Sequence, residues 1–286
     1  MIYSPSKTEA YDFCSMKGVL QYRDHWEPKE AGNGTVGKIV GAAFARGSQD
    51  IHRGVGPGVT PAVHLFDRTV AHYVQYGVSF SMDLSTVKAQ LVKALEKYHK
   101  DNPFMKWQVI ATELELYYYG RCRLDLLGID PNNIWSIVDL KYKRSLNIDY
   151  LNKIVNEFRD SWQFQHYPWA YNDWVTINPD VRSLPHAQPV SQMCLCLVVA
   201  NPFKIYYYPF QVNLQYQKIW IGSARQKWMD IYAMEKGERK PTVAVTHRNA
   251  YGDCEFKKAC LEMQMDPQLM QFEYVQVPRL PDEEVK

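Results

Sequence analysis

The sequence predicts an α/β fold with a central mixed β-sheet flanked by helices, preceded by a helical N-terminal region. Three observations carry that prediction. Up to about residue 105 the apolar residues recur at helical spacing between Gly-rich breaks. From Trp107 to Tyr142, three stretches rich in β-branched and aromatic residues follow one another, joined by turn residues. Beyond them the order becomes helix, two strands, helix, which calls for a sheet with helices packed on it.

The elements follow in order. Ser4 is placed to cap a first helix with Pro5 in its opening turn, continuing through Tyr11, Phe13 and Cys14. After Gly32-Asn33-Gly34, a helix from about Val36 to His52 ends at the Gly54 to Gly58 breaker. The next starts at Thr60-Pro61 and runs to about Gln75, and another spans Leu84 to about His99. Trp107–Tyr119 reads as a strand closed by Gly120. Arg121–Gly128 is a second strand, left through the Asp130-Pro131-Asn132-Asn133 turn, and Ile134–Tyr142 a third. A long helix is expected from Asp149, as N-cap, to about Trp174. Strands at Gln192–Ala200 and Lys204–Val212 and a helix over Tyr216–Glu235 complete the core. Without a recognisable linker, residues 1–277 are expected to form one domain. Within it, 1–105 is mainly helical, 106–235 is the catalytic core and 236–277 is a closing segment, with 278–286 as a loose tail.

A chain of 286 residues, 46% hydrophobic and 14% aromatic, can bury a sizeable core, which excludes a disordered protein. A formal charge of +2 neither demands nor excludes a polyanionic partner, because a basic groove can sit within a balanced total. Residues 1–17 carry Ser, Lys, Glu and Asp instead of an apolar signal core. No apolar run approaches the roughly 18–20 residues of a membrane span. With six dispersed cysteines, the expectation is an intracellular, cytoplasmic protein with reduced thiols and no membrane partner.

Chemistry concentrates in two segments, Arg121-Cys122-Arg123-Leu124-Asp125 and Ile137-Val138-Asp139-Leu140-Lys141. Residues two apart on a strand share a face, so Asp139 and Lys141 point the same way from an apolar strand. Charge in such a place needs a partner or a metal. Asp125, on the neighbouring strand, can approach the same point. Two converging carboxylates repel each other unless a divalent cation lies between them, and oxygen ligands suit Mg²⁺ or Mn²⁺. Such a cation polarises a phosphate and acidifies a bound water, while Lys141 can orient that water or stabilise developing charge. A structural salt bridge between Asp139 and Lys141 accounts for the spacing alone equally well. Glu113 and Glu115 share a face of the preceding strand, where either a further metal ligand or a solvated surface fits.

The company of these residues resembles the RecB-like branch of the PD-(D/E)xK nuclease superfamily. The resemblance rests on Ser4-Pro5-Ser6 to Cys14, on Arg46-Gly47-Ser48-Gln49-Asp50-Ile51-His52, and on the strand ending at Asp125. Asp139-Leu140-Lys141 and Gln163-Phe164-Gln165-His166-Tyr167 complete it, and the likeness spans about Ser4 to Cys260. It implies a restriction-endonuclease-like core with Asp125, Asp139 and Lys141 as the catalytic set. Asp125, Asp139, His52 and the Leu140 carbonyl are then metal ligands, with Glu113 and His64 as possible further ones. Gln163 and Tyr167, one helical turn apart, face the site, with Gln165 as a stand-in for Gln163. The implied function is a Mg²⁺- or Mn²⁺-dependent DNA nuclease using one or two ions. It would be an exonuclease acting on DNA ends or single strands in recombination, repair or phage DNA processing, with a homo-oligomer or a recombination protein as partner. The alternatives are a structure-specific endonuclease and a catalytically silent nucleic-acid-binding or assembly protein of the same fold.

Some relatives hold an iron–sulfur cluster on four cysteines. Cys14, Cys254 and Cys260 match three of those positions and Tyr251 occupies the fourth, so no cluster is expected. Cys194 and Cys196 are expected to fill core. Lys143 and Arg144, beyond Lys141, are candidate phosphate contacts, and Tyr117–Tyr119 and Tyr206–Tyr208 are candidate stacking surfaces.

Overall fold

The computed structural model describes residues 4–117, 121–178, 188–242, 248–249 and 252–280. Helix α1 (Pro5–Phe13) starts as its sequence predicts, Ser4 Oγ accepting from the Lys7 amide. Cys14 is extended and ends it. A short strand β1 (Trp26–Pro28) leads to α2 (Asn33–His52), α3 (Val59–Gln75) and α4 (Leu84–Asp101). The sheet strands are β2 (Gln108–Leu116), β3 (Cys122–Ile129) and β4 (Trp135–Ser145). Helices α5 (Leu151–Arg159) and α6 (Trp162–Ile177) follow, then β5 (Gln192–Asn201), β6 (Phe203–Gln211) and α7 (Leu214–Glu235).

The central sheet has the order β2-β3-β4-β5-β6. Its first three strands form an antiparallel meander, β4 and β5 pair in parallel, and β6 returns antiparallel to β5. A parallel pair needs a crossover, and α5 with α6 supplies it. Each face is covered by helices. Val138 and Leu140 of β4 and Cys194, Cys196 and Val198 of β5 pack against Phe44 of α2, Phe66 of α3 and Leu91 of α4. On the opposite face, Ile137, Leu195, Leu197 and Val199 pack against Phe158 of α5 and Phe164 and Tyr171 of α6. The alternation of β4 continues past Ile137, so Asp139 and Lys141 belong to the α5/α6 side. Cys194 and Cys196 are fully buried, as expected of core residues.

Several predicted boundaries shift. The long helix is in fact two, because Asp160 ends α5 and Ser161 opens α6 by accepting from the Phe164 amide at 3.1 Å. Asp149 caps nothing; its own amide donates to the Asn147 side chain, in a single 3₁₀ turn before α5. That break sets the start of α6, and so the height of Gln163 above the sheet. A strand unforeseen in the sequence, β7 (Tyr274–Gln276), pairs antiparallel with β1 and ties the C-terminal segment to the N-terminal one. The expected tail begins packed: Leu280 is buried, and the Pro278 carbonyl meets His72 Nε2 at 2.6 Å. Residues 281–286 lie outside the described residues.

Gly47 and Gly58 explain how α2 is seated. A side chain at Gly47 would strike the Gly58 carbonyl at 2.7 Å, and Gly58 itself holds φ +65°. The close approach of α2 to the start of α3 therefore needs glycine at both positions.

A candidate active site where two strands part

Pairing between β3 and β4 is recorded as far as Leu126 with Val138. One step further along the same register, Asp125 comes opposite Asp139. There the ladder gives way to a side-chain contact, the Leu140 amide donating to Asp125 Oδ2 at 2.7 Å. The disturbance extends to β2. Glu113, between the pairs Thr112–Leu126 and Leu114–Leu124, stands across from Asp125 and holds φ +53°. A glutamate in the left-handed region is strained, and such strain concentrates at functional positions.

Asp139 is 1% exposed and surrounded by donors. Lys141 Nζ lies 3.1 Å from its Oδ1 and 2.9 Å from its Oδ2. The Gln163 side-chain amide donates to Oδ1, and Gln163 Oε1 accepts from Lys141 at 2.8 Å. Oδ2 is in ion-pair range of the ammonium yet has no well-aligned hydrogen bond. The structural salt bridge is thus present, but as one edge of a triangle of Asp139, Lys141 and Gln163. Burial works against charge on Lys141, and Asp139 with Asp125 outweighs it, holding the ammonium above its ordinary value. Asp125 is also shifted upward, which for a carboxyl disfavours the charged form. Burial, then the charges of Asp139 and Glu113, push its carboxyl well above the usual carboxylate range.

Two facing carboxylates that resist ionising together, one with an oxygen short of a hydrogen bond, fit an oxygen-liganded divalent cation. Mg²⁺ is commonly held by one or two carboxylates, with waters and substrate oxygens completing its shell. Asp125 and Asp139 are the side chains that would hold it. Among the described residues, no three His, Cys, Asp or Glu side chains come close enough together to form a ligand set by themselves.

The remaining expected residues fall at different distances from this point. Tyr167 is buried one turn after Gln163, in range of the charge on both aspartates. Gln165 turns away, its amide reaching the Arg159 carbonyl, so Gln163 alone of the two meets Asp139. His52 is buried between Tyr98 and Phe104. Its Nε2 is 2.9 Å from the Tyr98 hydroxyl and its Nδ1 has no partner. Burial lowers its pKa to about 4. Tyr98 in turn feels the charge of Asp125, so His52 borders the carboxylate pair through its hydroxyl partner without joining it. His64 is exposed on α3. Glu113 pairs with Arg123 at 2.6 Å and Glu115 with Arg121 at 2.9 Å, so both carboxylates have counterions.

Lys141 and Gln163 open onto a cleft of about 590 Å³, also lined by Glu9, Phe13, Lys143 and Trp162. Arg144 does not share it. On the other face of β4 it donates to Asn33 Oδ1 at 2.5 Å, as strand alternation requires. Tyr207 packs on the core, its hydroxyl 2.9 Å from Cys194 Sγ, and Tyr206 and Tyr208 pack on the opposite face. Tyr118, Tyr119 and Tyr251 lie outside the described residues. Cys14 and Cys254 are buried where the N-terminal and closing segments meet. Burial, then Cys14 and Cys254, raise the Cys260 thiol to about 11. Glu9 is the cleft residue that sequence reasoning missed. It sits five residues beyond Ser4 in α1, with no spacing to any other motif that would single it out.

A mixed sheet that carries two facing acids and a lysine at the point where its strands separate defines a nuclease-type core. The family model of the PD-(D/E)XK nuclease superfamily matches residues 2–260, and the chain belongs to that superfamily. Its members typically use divalent metal ions such as Mg²⁺. Among curated proteins no sequence matches this one. Among solved structures, a candidate exonuclease from Eubacterium rectale is 16% identical at TM-score 0.50, covering 89% of this chain and 91% of its own. That likeness is one of fold. A second structure, known by a locus name, is 11% identical over 78% of this chain and 83% of its own; its TM-score of 0.30 supports no structural conclusion. No helix among the described residues is long and apolar enough to cross a membrane.

Proposed function

We propose that this protein is a metal-dependent deoxyribonuclease of the RecB-like branch, hydrolysing phosphodiester bonds as an exonuclease. The reading is carried by one observation: Asp125 faces Asp139 where β3 and β4 part, with Lys141 and Gln163 locked onto Asp139. The Eubacterium rectale neighbour, described as a candidate exonuclease, agrees with it.

In this reading Asp125 and Asp139 hold Mg²⁺ or Mn²⁺, with the Leu140 carbonyl as a further ligand and His52 joining them only when its Nε2 leaves the Tyr98 hydroxyl. When bound, the ion supplies a polarised phosphate and an acidified water. Lys141 directs its ammonium toward the attacking water and the charge growing on the phosphate. Gln163 fixes that ammonium and the Asp139 carboxylate in one geometry, since its amide bonds both at once. Tyr167 supports the α6 turn that presents Gln163. Lys143, beside Lys141 on the cleft wall, meets the phosphate backbone. DNA ends or single strands in recombination, repair or phage DNA processing are the substrates this reading assigns.

The test is degradation of linear DNA by the purified protein with Mg²⁺ or Mn²⁺, its suppression by EDTA, and its loss in Asp139→Ala. DNA left intact under both ions, but still bound, would instead favour a silent binding protein of the same fold.

A further inference from the structure

Helix α1 reaches the site from outside the sheet, and it is fastened there firmly. Lys7 Nζ and the Tyr11 hydroxyl both reach Glu235 Oε1, at 2.5 and 3.2 Å. Asp12 accepts from Trp162 Nε1 at 3.0 Å and pairs with Lys227 at 2.7 Å. So tethered between α6 and α7, α1 places Glu9 on the cleft wall beside Lys141 and Gln163. Glu9 Oε1 accepts from the Gln163 backbone amide at 3.5 Å, and the Trp162 amide also bonds this carboxylate. A carboxylate at the first turn of a helix complements its dipole. That contact accounts for one end of the side chain. A neutral amide oxygen could also accept there, with less help from the dipole, so this contact alone does not require the charge.

Lys141 explains the charge. Its close partners are Asp139 and Gln163; Asp125 is a further acidic neighbour, and Glu9 is the acid that shares its cleft wall. If Asp139 is to bind a divalent cation, it cannot also remain the full counterion of Lys141. Lys141 is half-exposed, so once Asp139 is engaged its ammonium can turn into the cleft, where Glu9 is the anion on the same wall. Resting on the proposed metal-dependent reading, we infer that Glu9 is a positioning residue, the anion that holds Lys141 when Asp139 turns its charge to the metal. Without Glu9, Lys141 competes with the cation for Asp139, so cation affinity falls although Glu9 touches no cation.

Calorimetric titration with Mn²⁺ in the absence of DNA tests this on the full chain. Four proteins are compared: wild type, Glu9→Gln, Lys141→Gln and the double variant. Glu9→Gln keeps the acceptor for the α6 amides, so melting curves should match wild type. The expected result is about fivefold weaker Mn²⁺ binding for Glu9→Gln with Lys141 present, and less than about twofold once Lys141 is Gln, a coupling typical of residues in one network. Asp12→Asn, a neutralisation on the same helix and cleft wall, should change affinity less than about twofold. Equal weakening by Glu9→Gln in both backgrounds makes Glu9 a direct ligand and overturns the inference. No weakening in either, or a matching loss from Asp12→Asn, overturns it as well. A wild-type protein that binds no Mn²⁺ overturns the metal reading itself, and the inference with it.

Discussion

Gln163 and Lys141 are joined at 2.8 Å across two elements, the amide oxygen on α6 accepting from the ammonium on β4. The same Gln163 gives its amide protons to Asp139, so one neutral side chain fixes both members of the ion pair. Replacing it with Leu keeps the bulk and removes both bonds. DNA cleavage is expected to fall by about 10²-fold, the usual scale for losing one positioning or charge-stabilising contact. The melting temperature should drop modestly, because Asp139 retains Lys141. Gln163→Leu cleaving at the wild-type rate would show that the triangle is structural only.

Charge pairing at Asp139 makes a second prediction that separates stability from activity. Asp139 is buried and Lys141 is its counterion. Lys141→Ala should destabilise the metal-free protein by about 1–3 kcal/mol, the range for leaving a buried charged acceptor unsatisfied. Asp139→Asn should be milder, since a half-exposed lysine can turn to solvent. Both should abolish cleavage. Denaturant unfolding of the two variants checks the ordering; Asp139→Asn proving the more damaging would mean that Lys141, not Asp139, depends on the pair.

The fold was legible in the sequence where local chemistry decides it. The meander announced itself through β-branched and aromatic runs ending at Gly120 and the Asp130–Asn133 turn, and the superfamily match and the observed mixed sheet agree with that expectation. Asp139 and Lys141 were readable as a same-face pair because strand period alone fixes it. What the sequence hid depends on long-range contact. The break between α5 and α6 falls at Asp160-Ser161, where Ser161 competes as a helix cap with a run that looks continuous. Pairing of β1 with β7 joins segments some 250 residues apart through only three residue pairs, too short to leave a pattern. Glu9 enters the cleft solely because Glu235 and Trp162 hold α1 there. Arg144 looked like the continuation of a basic run, and the alternation of β4 sends it to the opposite face.

The two histidines are expected to behave very differently. His52 is buried against Tyr98, whose hydroxyl is wholly enclosed. His52→Ala should cost about 2–4 kcal/mol through the cavity and the hydrogen bond taken from the Tyr98 hydroxyl. His64 is exposed, so His64→Ala should stay within about 0.5 kcal/mol. In the proposed function, Mn²⁺ affinity measured by calorimetry falls for the conservative His52→Asn and not for His64→Ala. Loss confined to the His64 variant would reverse the assignment.

His166 yields a pH prediction away from the site. It is 1% exposed on α6 among Trp169, Trp220 and Trp228, and its Nε2 has no partner. Burial lowers its pKa to about 4. An unfolded histidine titrates near 6.5. Between these values the unfolded chain binds a proton that the folded one refuses, so the histidine's contribution is constant above pH 6.5 and is lost progressively down to pH 4. At pH 5 the loss amounts to about 2 kcal/mol relative to pH 7.5. A ring without titratable nitrogens keeps the stacking and lacks the proton site. His166→Phe should therefore lose less stability than wild type on acidification, by about that amount, in urea unfolding at the two pH values. Parallel losses in wild type and variant would mean that His166 takes up its proton in the folded protein too.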